Sequence, residues 1–341
     1  MAFSTLALVY TYTCTAACQH CCYTCGPRRD EKMPYGTALA LIRQASKLES
    51  MRTVAVTGGE PFLFFDELLG LCSKASSLGL EFGCITNCSW ATTISRAHEL
   101  IHALRERGLS RLSLSCDPSH QAYVPAERVQ NVLSVAAEYD IDVVISASLL
   151  PWDNGPEPWI ALPISNRFKI AYGPVIPVGR ATQFDLPGTV PVDEISQKHC
   201  TGLNELVVEP SLDVLPCCGI GGMTPPLVLG SAATASLEEL IGLARHNGLL
   251  RLIGHFGFDK LLTHAEQVMG RLPLQDRYIS LCHLCFDLLS SPTVAEHIPE
   301  IVRSFENAYL DRFLTKAEWM SAARNGVPAS AQVARRTHDS I

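Results

Sequence analysis

Residues 14–25 of this 341-residue chain read CTAACQHCCYTC, and they decide how the rest of the sequence is interpreted. Cys14, Cys18 and Cys21 form a C-x3-C-x2-C array directly after an apolar, β-branched and aromatic run, Leu6–Tyr12. A soft iron cluster requires thiolate ligands, and a short loop leaving a strand lets three of them converge. Three thiolates on a 4Fe–4S cluster leave one iron open, whereas a closed structural site requires four ligands. The array therefore predicts an iron–sulfur centre with one open iron.

With the aromatic ring of His20 just before its last cysteine, the array resembles the signature of radical S-adenosylmethionine (radical SAM) enzymes. The resemblance implies that Cys14, Cys18 and Cys21 hold a catalytic 4Fe–4S cluster whose open iron binds the amine and carboxylate of S-adenosylmethionine (SAM). An electron from such a cluster cleaves the cofactor to methionine and a 5′-deoxyadenosyl radical. The alternatives are a disulfide cluster or a zinc knot with Cys25 as fourth ligand. Zinc knots usually pair two C-x2-C motifs or add a His pair, so the three-residue gap disfavours one.

A second motif follows one strand–helix unit later. Thr53–Thr57 (TVAVT) is a short apolar, β-branched run of the kind that a parallel strand covered on both faces requires. It ends in Gly58-Gly59-Glu60-Pro61, where the glycines permit close backbone approach and Glu60 follows a strand's carboxyl end. The tetrapeptide alone could be a turn, but after the cysteine array it resembles the radical SAM motif that holds the methionyl amino group. We therefore expect Glu60 to contact the cofactor's ammonium as a catalytic residue.

Strand and helix patterns alternate through the first half of the chain. The predicted strands are Leu6–Tyr12, Thr53–Thr57, Glu81–Thr86, Arg111–Cys116, Ile141–Leu149 and Phe168–Ile176. The predicted helices are Thr37–Leu48, Leu63–Leu78, Ile94–Arg107 and Pro125–Tyr139, with a short fifth within Trp152–Ile164, where three prolines intervene. Right-handed crossovers build a parallel sheet from such units, which gives an α/β fold. Six units match the partial (β/α)6, TIM-like barrel of the radical SAM family, and we assign residues 1–185 to it.

Polar residues at the carboxyl ends of the later strands are candidate cofactor ligands. The resemblance places Asn87, after the third strand, and Ser115 and Asp117, after the fourth, where the family binds its nucleoside; a helix cap is the alternative reading of each. The fifth strand offers Ser146. Arg180 lies in a segment that resembles one common in the family, and it is either a partner for a carboxylate or a surface residue. The predicted cofactor-binding residues are His20, Gly58, Gly59, Glu60, Pro61, Asn87, Ser115, Asp117, Ser146 and Arg180.

The second half begins with a change of composition near Asp185–Val192, and residues 186–325 are predicted to form a smaller α+β domain. Cys200 precedes a hairpin pattern, Leu203–Glu209 and Val214–Pro216, and Cys217-Cys218 follow it directly. A strand at Leu227–Gly230, a helix at Leu237–Leu243 and an amphipathic helix at Ile298–Arg324 complete the expected elements. Residues 326–341 are expected to be a flexible tail.

The cysteines of this second half predict another metal site. After Cys217-Cys218 comes a distant C-x2-C pair, Cys282 and Cys285, and this order resembles the auxiliary-cluster domains called SPASM and twitch. Cys200, one of Cys217 and Cys218, Cys282 and Cys285 provide four thiolates, enough for one closed 4Fe–4S cluster. No cysteine follows Cys285, so the one-cluster twitch form is favoured. A structural zinc is the alternative, because four thiolates also suit zinc.

Bulk composition limits the compartment and the partners. The net charge of −7 and the lack of a long basic run disfavour nucleic acid and acidic membrane surfaces. The apolar start is too short to span a bilayer, and it lacks the basic region and cleavage site of a signal peptide. Fourteen cysteines in a chain without a secretion signal indicate metal ligands or reactive thiols kept reduced. We expect a cytoplasmic protein.

The resemblance implies a radical enzyme that takes hydrogen from a ribosomally made peptide, leading to epimerisation or to a thioether or carbon–carbon crosslink. A small molecule of natural-product or cofactor biosynthesis is the alternative substrate. In another class, the chain would be an iron–sulfur or zinc protein without radical chemistry. An electron donor such as flavodoxin or ferredoxin is the expected partner. The cysteine of the Cys217–Cys218 pair that binds no metal is either an inert thiol or a catalytic hydrogen donor, with Cys88 and Cys116 as rival donors.

Overall fold

The computed structural model describes residues 2–139, 141–153, 168–217 and 219–324, with side chains described as far as residue 310. Three of the sequence predictions therefore fall wholly or mainly outside the described residues. These are the role of Cys218, the fifth helix within Trp152–Ile164 and the tail that follows residue 325.

Six parallel strands form the centre of the fold. They are β1 (Thr5–Thr11), β2 (Thr53–Gly58), β3 (Glu81–Thr86), β4 (Leu109–Ser115), β5 (Asp142–Leu149) and β6 (Lys169–Pro174). Each strand pairs in parallel with the next along the chain, for example Leu6 with Val54 and Val54 with Phe82. The parallel α/β sheet of a partial TIM-like barrel is confirmed.

Amphipathic helices cover the outer face of these strands. They are α1 (Tyr35–Ala45), α2 (Phe65–Ser77), α3 (Ile94–Arg105) and α5 (Ala126–Ala136), and a single helical turn, α4 (Pro118–Gln121), follows the carboxyl end of β4. Helix α3 starts where the Thr93 side chain accepts a hydrogen bond from the Arg96 backbone N–H at 3.1 Å, a standard N-cap. On β1, Leu6, Leu8 and Tyr10 join the large core under the helices, while Ala7 and Val9 face the barrel interior. One strand therefore contributes to two packed layers.

The sheet continues into the second half of the chain. The predicted hairpin consists of β8 (Glu205–Val208) and β9 (Asp213–Leu215), and β8 pairs in parallel with β1 from Thr5–Glu205 to Leu8–Val208. The strand order is β10-β9-β8-β1-β2-β3-β4-β5-β6, so the first strand of the chain lies inside a nine-stranded sheet. The hairpin thus extends the barrel sheet across the predicted boundary at residue 185.

Short strands and further helices complete the described part. The strands are β7 (Val190–Pro191), β10 (Gly230–Ser231) and β11 (Arg277–Tyr278). The helices are α6 (Val192–Ile195), α7 (Leu237–His246), α8 (Gly248–Arg251), α9 (Phe258–Met269), α10 (Leu281–Ser290) and α11 (Pro292–Arg324), with a π-helical turn at Leu252–Phe256. The strand predicted at Leu227–Gly230 is later and shorter in the structure, as β10, because two prolines fix a 3-10 turn at Pro225–Leu227 first. Among the described residues, no helix has the length and apolar character needed to cross a bilayer.

Candidate active site

The loop that follows β1 brings the three cysteines of the array to one cavity at the carboxyl edge of the sheet. Cys14, Cys18 and Cys21 all line this cavity, which has a volume of about 240 Å³. Its wall also includes His20, Cys22, Tyr23, Cys25, Gly58, Gly59, Thr86, Asn87, Ser115, His120 and Ser148. The three array cysteines therefore share a cavity with five of the ten predicted cofactor-binding residues, His20, Gly58, Gly59, Asn87 and Ser115.

Hydrogen-bond donors from the loop and from β3 point at two of these sulfurs. The Sγ of Cys14 accepts from the Ala16 backbone N–H at 3.4 Å and from Asn87 Nδ2 at 3.5 Å. The Sγ of Cys21 accepts from the Cys25 backbone N–H at 3.3 Å. Such bonds stabilise negative charge on sulfur and tune the potential of any cluster bound there.

The protonation of the array is set by burial and by one neighbouring thiol. Burial raises the pKa of Cys14 to about 11 and the pKa of Cys18 to about 12. The pKa of Cys21 is lowered, because the Cys25 thiol donates a hydrogen bond to its sulfur. Metal binding to Cys14 and Cys18 would therefore displace protons, as is usual for thiolate sites.

The loop is clamped by the segment after β6. Both Nη atoms of Arg180 donate to loop carbonyls, Nη1 to Cys18 and Nη2 to Cys25 at 2.7 Å, and its backbone N–H donates to the Cys21 carbonyl at 3.0 Å. Gly179 has φ +59°, and a Cβ atom there would lie 2.2 Å from the Cys22 carbonyl oxygen. Arg180 thus holds the cluster loop in place, and both of the nitrogens that would pair with a carboxylate are engaged by the loop.

The two glycines of the second motif let β2 end directly against the cluster loop. A Cβ atom on Gly58, which has φ +136°, would lie 2.3 Å from the Thr11 carbonyl oxygen. A Cβ atom on Gly59 would lie 2.0 Å from the Thr13 carbonyl oxygen and 3.1 Å from the Cys14 Cβ. Only glycine fits at these positions, so the motif is required for the close approach that forms the cavity wall.

Glu60 lies behind this wall instead of on it. Its side chain is 1 % exposed, and it does not line the cavity. Oε1 accepts from the Phe62 N–H at 3.1 Å and the Thr86 hydroxyl at 2.9 Å, and Oε2 from the Asn87 N–H at 2.8 Å and the same hydroxyl at 3.0 Å. Burial raises the pKa of Glu60 to about 7. Two backbone N–H groups and one shared Thr86 hydroxyl already hold both oxygens, so this geometry does not support the direct contact with the cofactor's ammonium, which stays a prediction.

Thr86 is the hub that connects the two strand ends, a role that sequence reasoning missed. Besides donating to Glu60, its hydroxyl accepts from the Cys88 N–H at 3.0 Å and from Trp90 Nε1 at 2.9 Å. The next residue, Asn87, reaches both Cys14 and the Thr15 hydroxyl, at 3.1 Å for the latter. Pro61, the last residue of the motif, is buried at the start of a 3-10 turn.

A buried acid joins two histidines at the cavity. Oδ2 of Asp117 lies 3.2 Å from His20 Nε2 and 2.7 Å from His120 Nδ1, and it accepts from the Ser148 backbone N–H at 3.2 Å. Burial alone would raise the pKa of Asp117, but the hydrogen bonds from His120 and His20 hold it well below its usual range. The carboxylate fixes both imidazole orientations. The other ring nitrogen of His20, Nδ1, is buried without a hydrogen-bond partner among the described residues.

The fourth and fifth strands place their polar residues differently from one another. Ser115, at the end of β4, lines the cavity as predicted. Ser146 does not, because its hydroxyl pairs with the Ser113 hydroxyl at 2.9 Å. Ser148 lies on the same face of β5 and one pleat nearer the carboxyl edge, and it lines the cavity instead.

The sequence of this barrel matches a known family. Residues 8–152 match the family model of the radical SAM superfamily. These residues form a radical SAM domain. The domain includes the cysteine array, the glycine motif and the first five barrel strands.

A curated protein and two solved structures are similar to this chain over most of its length. The putative peptide biosynthesis protein YydG of Bacillus subtilis (strain 168) is 23 % identical over 309 residues, which are 88 % of this chain and 95 % of that protein. Native anSMEcpe, solved with bound AdoMet and a Cp18Cys peptide, has 14 % identity and a TM-score of 0.52, covering 90 % of this chain and 99 % of that one. Its structure with a Kp18Cys peptide gives the same TM-score at 13 % identity, with 89 % and 99 % covered. At these identities the structures show a shared fold.

A radical SAM domain implies a 4Fe–4S cluster and SAM, and the residues at the cavity fit both. Three buried or half-buried thiols converge there, two of them with sulfurs that accept N–H hydrogen bonds. Beside them, Gly58 and Gly59 let the end of β2 contact the loop directly, and among the described residues the Nδ1 atom of His20 lacks a partner. An open cavity, soft ligands and polar groups facing one space are what such a pair requires.

A second group of thiols surrounds the glycine-rich loop Gly219–Gly222. A Cβ atom on Gly221 would lie 2.6 Å from the Cys285 sulfur, one on Gly222 2.8 Å from the Cys217 sulfur, and one on Gly219 3.4 Å from the Cys282 sulfur. The pKa of Cys217 is raised to about 11, mainly by burial and further by the neighbouring Cys200 and Cys282 thiols. The structure thus brings the four predicted ligands Cys200, Cys217, Cys282 and Cys285 together.

The spacing of these sulfurs bears on the zinc alternative. Tetrahedral zinc with Zn–S bonds of about 2.3 Å holds its sulfurs about 3.8 Å apart. Within the described residues, only His20, Asp117 and His120 bring three candidate ligand atoms within 4.8 Å of one another, so no three thiols do. The described thiols of either group therefore do not have the close spacing that one zinc ion imposes. The His20–Asp117–His120 contacts are hydrogen bonds, as their distances show.

Proposed function

We propose that this chain is a radical SAM enzyme that takes a hydrogen atom from a ribosomally made peptide. The convergence of Cys14, Cys18 and Cys21 on a cavity at the carboxyl edge of the barrel carries this proposal. The peptide substrate rests on the alignment with YydG, a putative peptide biosynthesis protein, across 88 % of the chain. It also agrees with the peptide bound to anSMEcpe, whose fold is similar.

In this proposal the chain's residues bind the cluster and SAM, orient the substrate and enclose the site. Cys14, Cys18 and Cys21 hold the catalytic cluster, and Gly58, Gly59, Asn87 and Ser115 shape the space for SAM. When bound, the cluster and SAM together supply the 5′-deoxyadenosyl radical. Asp117 orients His20 and His120 at the cavity wall, and Arg180 fixes the loop that carries the thiolates. A rigid loop keeps one C–H bond in place and limits quenching by solvent.

Cys200, Cys217, Cys282 and Cys285 are proposed to hold one auxiliary 4Fe–4S cluster. Their grouping around Gly219–Gly222 supports this assignment, and the sulfur spacing disfavours zinc. With Cys217 in that set, Cys218 is the cysteine of the pair that remains for another role. Cys218 lies outside the described residues, so its role rests on the sequence alone.

Epimerisation at a peptide α-carbon is the reaction we favour within this class. A radical at the α-carbon inverts when a thiol gives it a hydrogen atom from the opposite face, and the thiyl radical left behind becomes a thiol again by taking one electron from the external reductant and one proton from solvent. The rival donors Cys88 and Cys116 are buried and do not line the cavity, which disfavours both. Cys218 is therefore the proposed donor, and a crosslinking enzyme would need none.

The first test concerns the catalytic cluster. Anaerobically reconstituted protein should release 5′-deoxyadenosine from SAM under a strong reductant. Replacing Cys14, Cys18 and Cys21 together by Ala should abolish this release while leaving about four irons bound by the other thiols. Release by the triple variant would refute the proposed function, and a wild type without release would leave an iron–sulfur protein without radical chemistry.

The second test concerns the reaction. A short peptide encoded beside the gene is incubated with the enzyme in deuterated water. An epimerase should place one solvent deuteron at an inverted α-carbon, and Cys218→Ala should still cleave SAM without completing the inversion. A product lighter by two hydrogens would assign crosslinking instead, and conversion of a small molecule but of no peptide would refute the peptide substrate.

A further inference from the structure

A groove in the second half of the chain brings one thiol of the four-cysteine group towards the surface. The groove has a volume of about 550 Å³, and its wall includes Cys200, Leu203, Arg245, Arg251, His255 and Tyr309. We call it the Cys200 groove. Cys200 is half-buried and Cys282 is exposed, so the proposed auxiliary site extends to the protein surface.

The charge of the Cys200 groove is opposite to that of the whole chain. Arg245, Arg251 and His255 are exposed, and no carboxylate is among its lining residues in the described part of the chain. The chain as a whole carries −7. One described acid, Glu306, lies in an adjoining depression and pairs with Arg251 at 3.5 Å. Both partners are about half exposed, so this pair is weak and leaves Arg251 able to meet another anion.

The floor of the Cys200 groove is aromatic. Phe256 packs against Phe305 with ring centroids 4.7 Å apart and against Tyr309 at 5.3 Å. Tyr309 and the adjacent Leu310 are 51 % and 54 % exposed. An apolar and aromatic centre bordered by arginines is the composition of a protein-binding surface.

The backbone that forms part of the Cys200 groove wall is irregular, and it is hydrogen-bonded to the Cys200 backbone. Residues Leu252–Phe256 form a π-helical turn that ends at Gly257, which has φ +97°. π-Helical turns are rare and concentrate at functional sites. The Ile253 carbonyl in this turn accepts a hydrogen bond from the Cys200 backbone N–H at 3.4 Å. The irregular turn therefore places His255 and Phe256 beside Cys200.

We infer that the Cys200 groove is the docking surface for an acidic one-electron carrier protein. This inference rests on the proposed function, because reductive cleavage of SAM consumes one electron that must come from outside the chain. A flavodoxin hydroquinone gives that electron and becomes the semiquinone, and the enzyme uses it to break a carbon–sulfur bond of SAM, leaving methionine and the deoxyadenosyl radical. The arginines steer an acidic carrier, the aromatic floor seats it, and Cys200 lies at the point of contact. Electron-transfer complexes need only a small interface.

The primary test measures binding. Oxidised flavodoxin is titrated into reconstituted wild type and into the Arg245→Glu/Arg251→Glu variant, and the variant's Kd should be at least about tenfold higher at low salt. The difference should shrink as salt is added. The control is Arg96→Glu/Arg107→Glu, which changes the net charge equally at exposed positions on and just after α3, a helix that packs on α2, α5 and β4. Equal weakening in both variants would overturn the inference, because net charge alone would explain it.

A second test separates this inference from the proposed function. SAM cleavage is measured with flavodoxin and, separately, with dithionite as reductant. In the Arg245→Glu/Arg251→Glu variant the flavodoxin-driven rate should fall about tenfold while the dithionite-driven rate is unchanged. No cleavage by wild type under dithionite would contradict the proposed function. Normal flavodoxin-driven cleavage by the variant, or a raised KM for peptide under dithionite, would overturn the docking surface alone.

Discussion

Glu60 is a single buried acid that joins the ends of two barrel strands, and it makes the folding stability of the protein depend on pH. Its pKa is raised from about 4.5 to about 7 by burial, so the folded state holds this proton more tightly than the unfolded state. The stability that this carboxyl contributes is fully present below pH 4.5 and is lost as the pH rises towards 7. A shift of this size corresponds to about 3 kcal/mol of unfolding free energy.

Glu60→Gln should remove the part of the unfolding free energy that changes with pH because of Glu60. The amide does not ionise, and its NH2 group would face a backbone N–H of Phe62 or Asn87, so the variant should also be less stable at pH 5 by about 1–3 kcal/mol. Urea unfolding of the metal-free proteins measures both effects. From pH 4.5 to 8 the wild type should lose about 3 kcal/mol relative to the variant. A difference that stays constant across this range would contradict the buried, titrating carboxyl.

Arg180 is the residue that should control how firmly the cluster loop is held. Two different nitrogens of the planar guanidinium hold the Cys18 and Cys25 carbonyls, and the compact ammonium of lysine lacks this span, so the variant should lose at least one of the two bonds. Loss of one such charged hydrogen bond costs about 1.5–3 kcal/mol, so Arg180→Lys should release iron to a chelator at least about tenfold faster. Arg111→Lys, at an exposed ion pair with Asp142, is the matched control. Equal release rates in the two variants would show that the clamp is not needed.

At the residue scale the sequence predicts the identity of ligands better than their contacts. The three array cysteines meet because they share one loop, which their spacing already shows. The position of Glu60 behind the wall depends on a hydroxyl 26 residues away, and nothing local in the motif reveals it. The predicted fifth strand ends at Leu149, as β5 does, and Ser146 and Ser148 lie on the same face of it. Which of the two serines reaches the cavity depends on the Ser113 hydroxyl of the neighbouring strand, which pairs with Ser146, and the sequence of β5 does not reveal this contact.

At the scale of elements, the junction between β2 and the cluster loop is the most constrained contact. Gly59→Ala would place a methyl group 2.0 Å from the Thr13 carbonyl oxygen, so the loop must shift. The variant should lose about 3 kcal/mol or more of stability and bind less iron at the array. Gly242→Ala, in α7 with open space around it, should instead gain about 0.5–1 kcal/mol. Thermal unfolding and iron content of both variants test this, and two equal effects would contradict it.

Elements with strong local patterns were predictable, and those fixed by distant contacts were not. The barrel strands are short apolar runs between breakers, so their bounds follow from the sequence within a few residues. Helices α9 and α10 were not predicted, because charged and apolar residues are mixed between residues 244 and 290. The π-helical turn depends on the Cys200 loop packed against it, which lies about 50 residues earlier in the chain. A local pattern cannot encode such a contact.

For the whole molecule, the pairing of β8 with β1 joins the two halves into one sheet. A chain that ended at residue 185 would leave β1 as an unpaired, apolar edge, which is an aggregation hazard. The metal-free full-length protein should therefore unfold in urea in a single transition, and the 1–185 fragment should aggregate. Tryptophan fluorescence and circular dichroism should give coincident curves for the full chain. A monomeric fragment with its own cooperative transition would contradict this coupling.

The clamp on the cluster loop also sets an order of events during synthesis. Arg180 lies 162 and 155 residues after Cys18 and Cys25, the residues whose carbonyls it holds. A ribosome that adds about 5–20 residues per second needs roughly 8–30 s to cover that interval. Throughout it the nascent chain carries an array of thiols whose loop is not yet held, exposed to oxidants and to the wrong metals. Iron delivery is therefore expected to follow translation, and the cell has to protect the thiols of the half-made chain until it does.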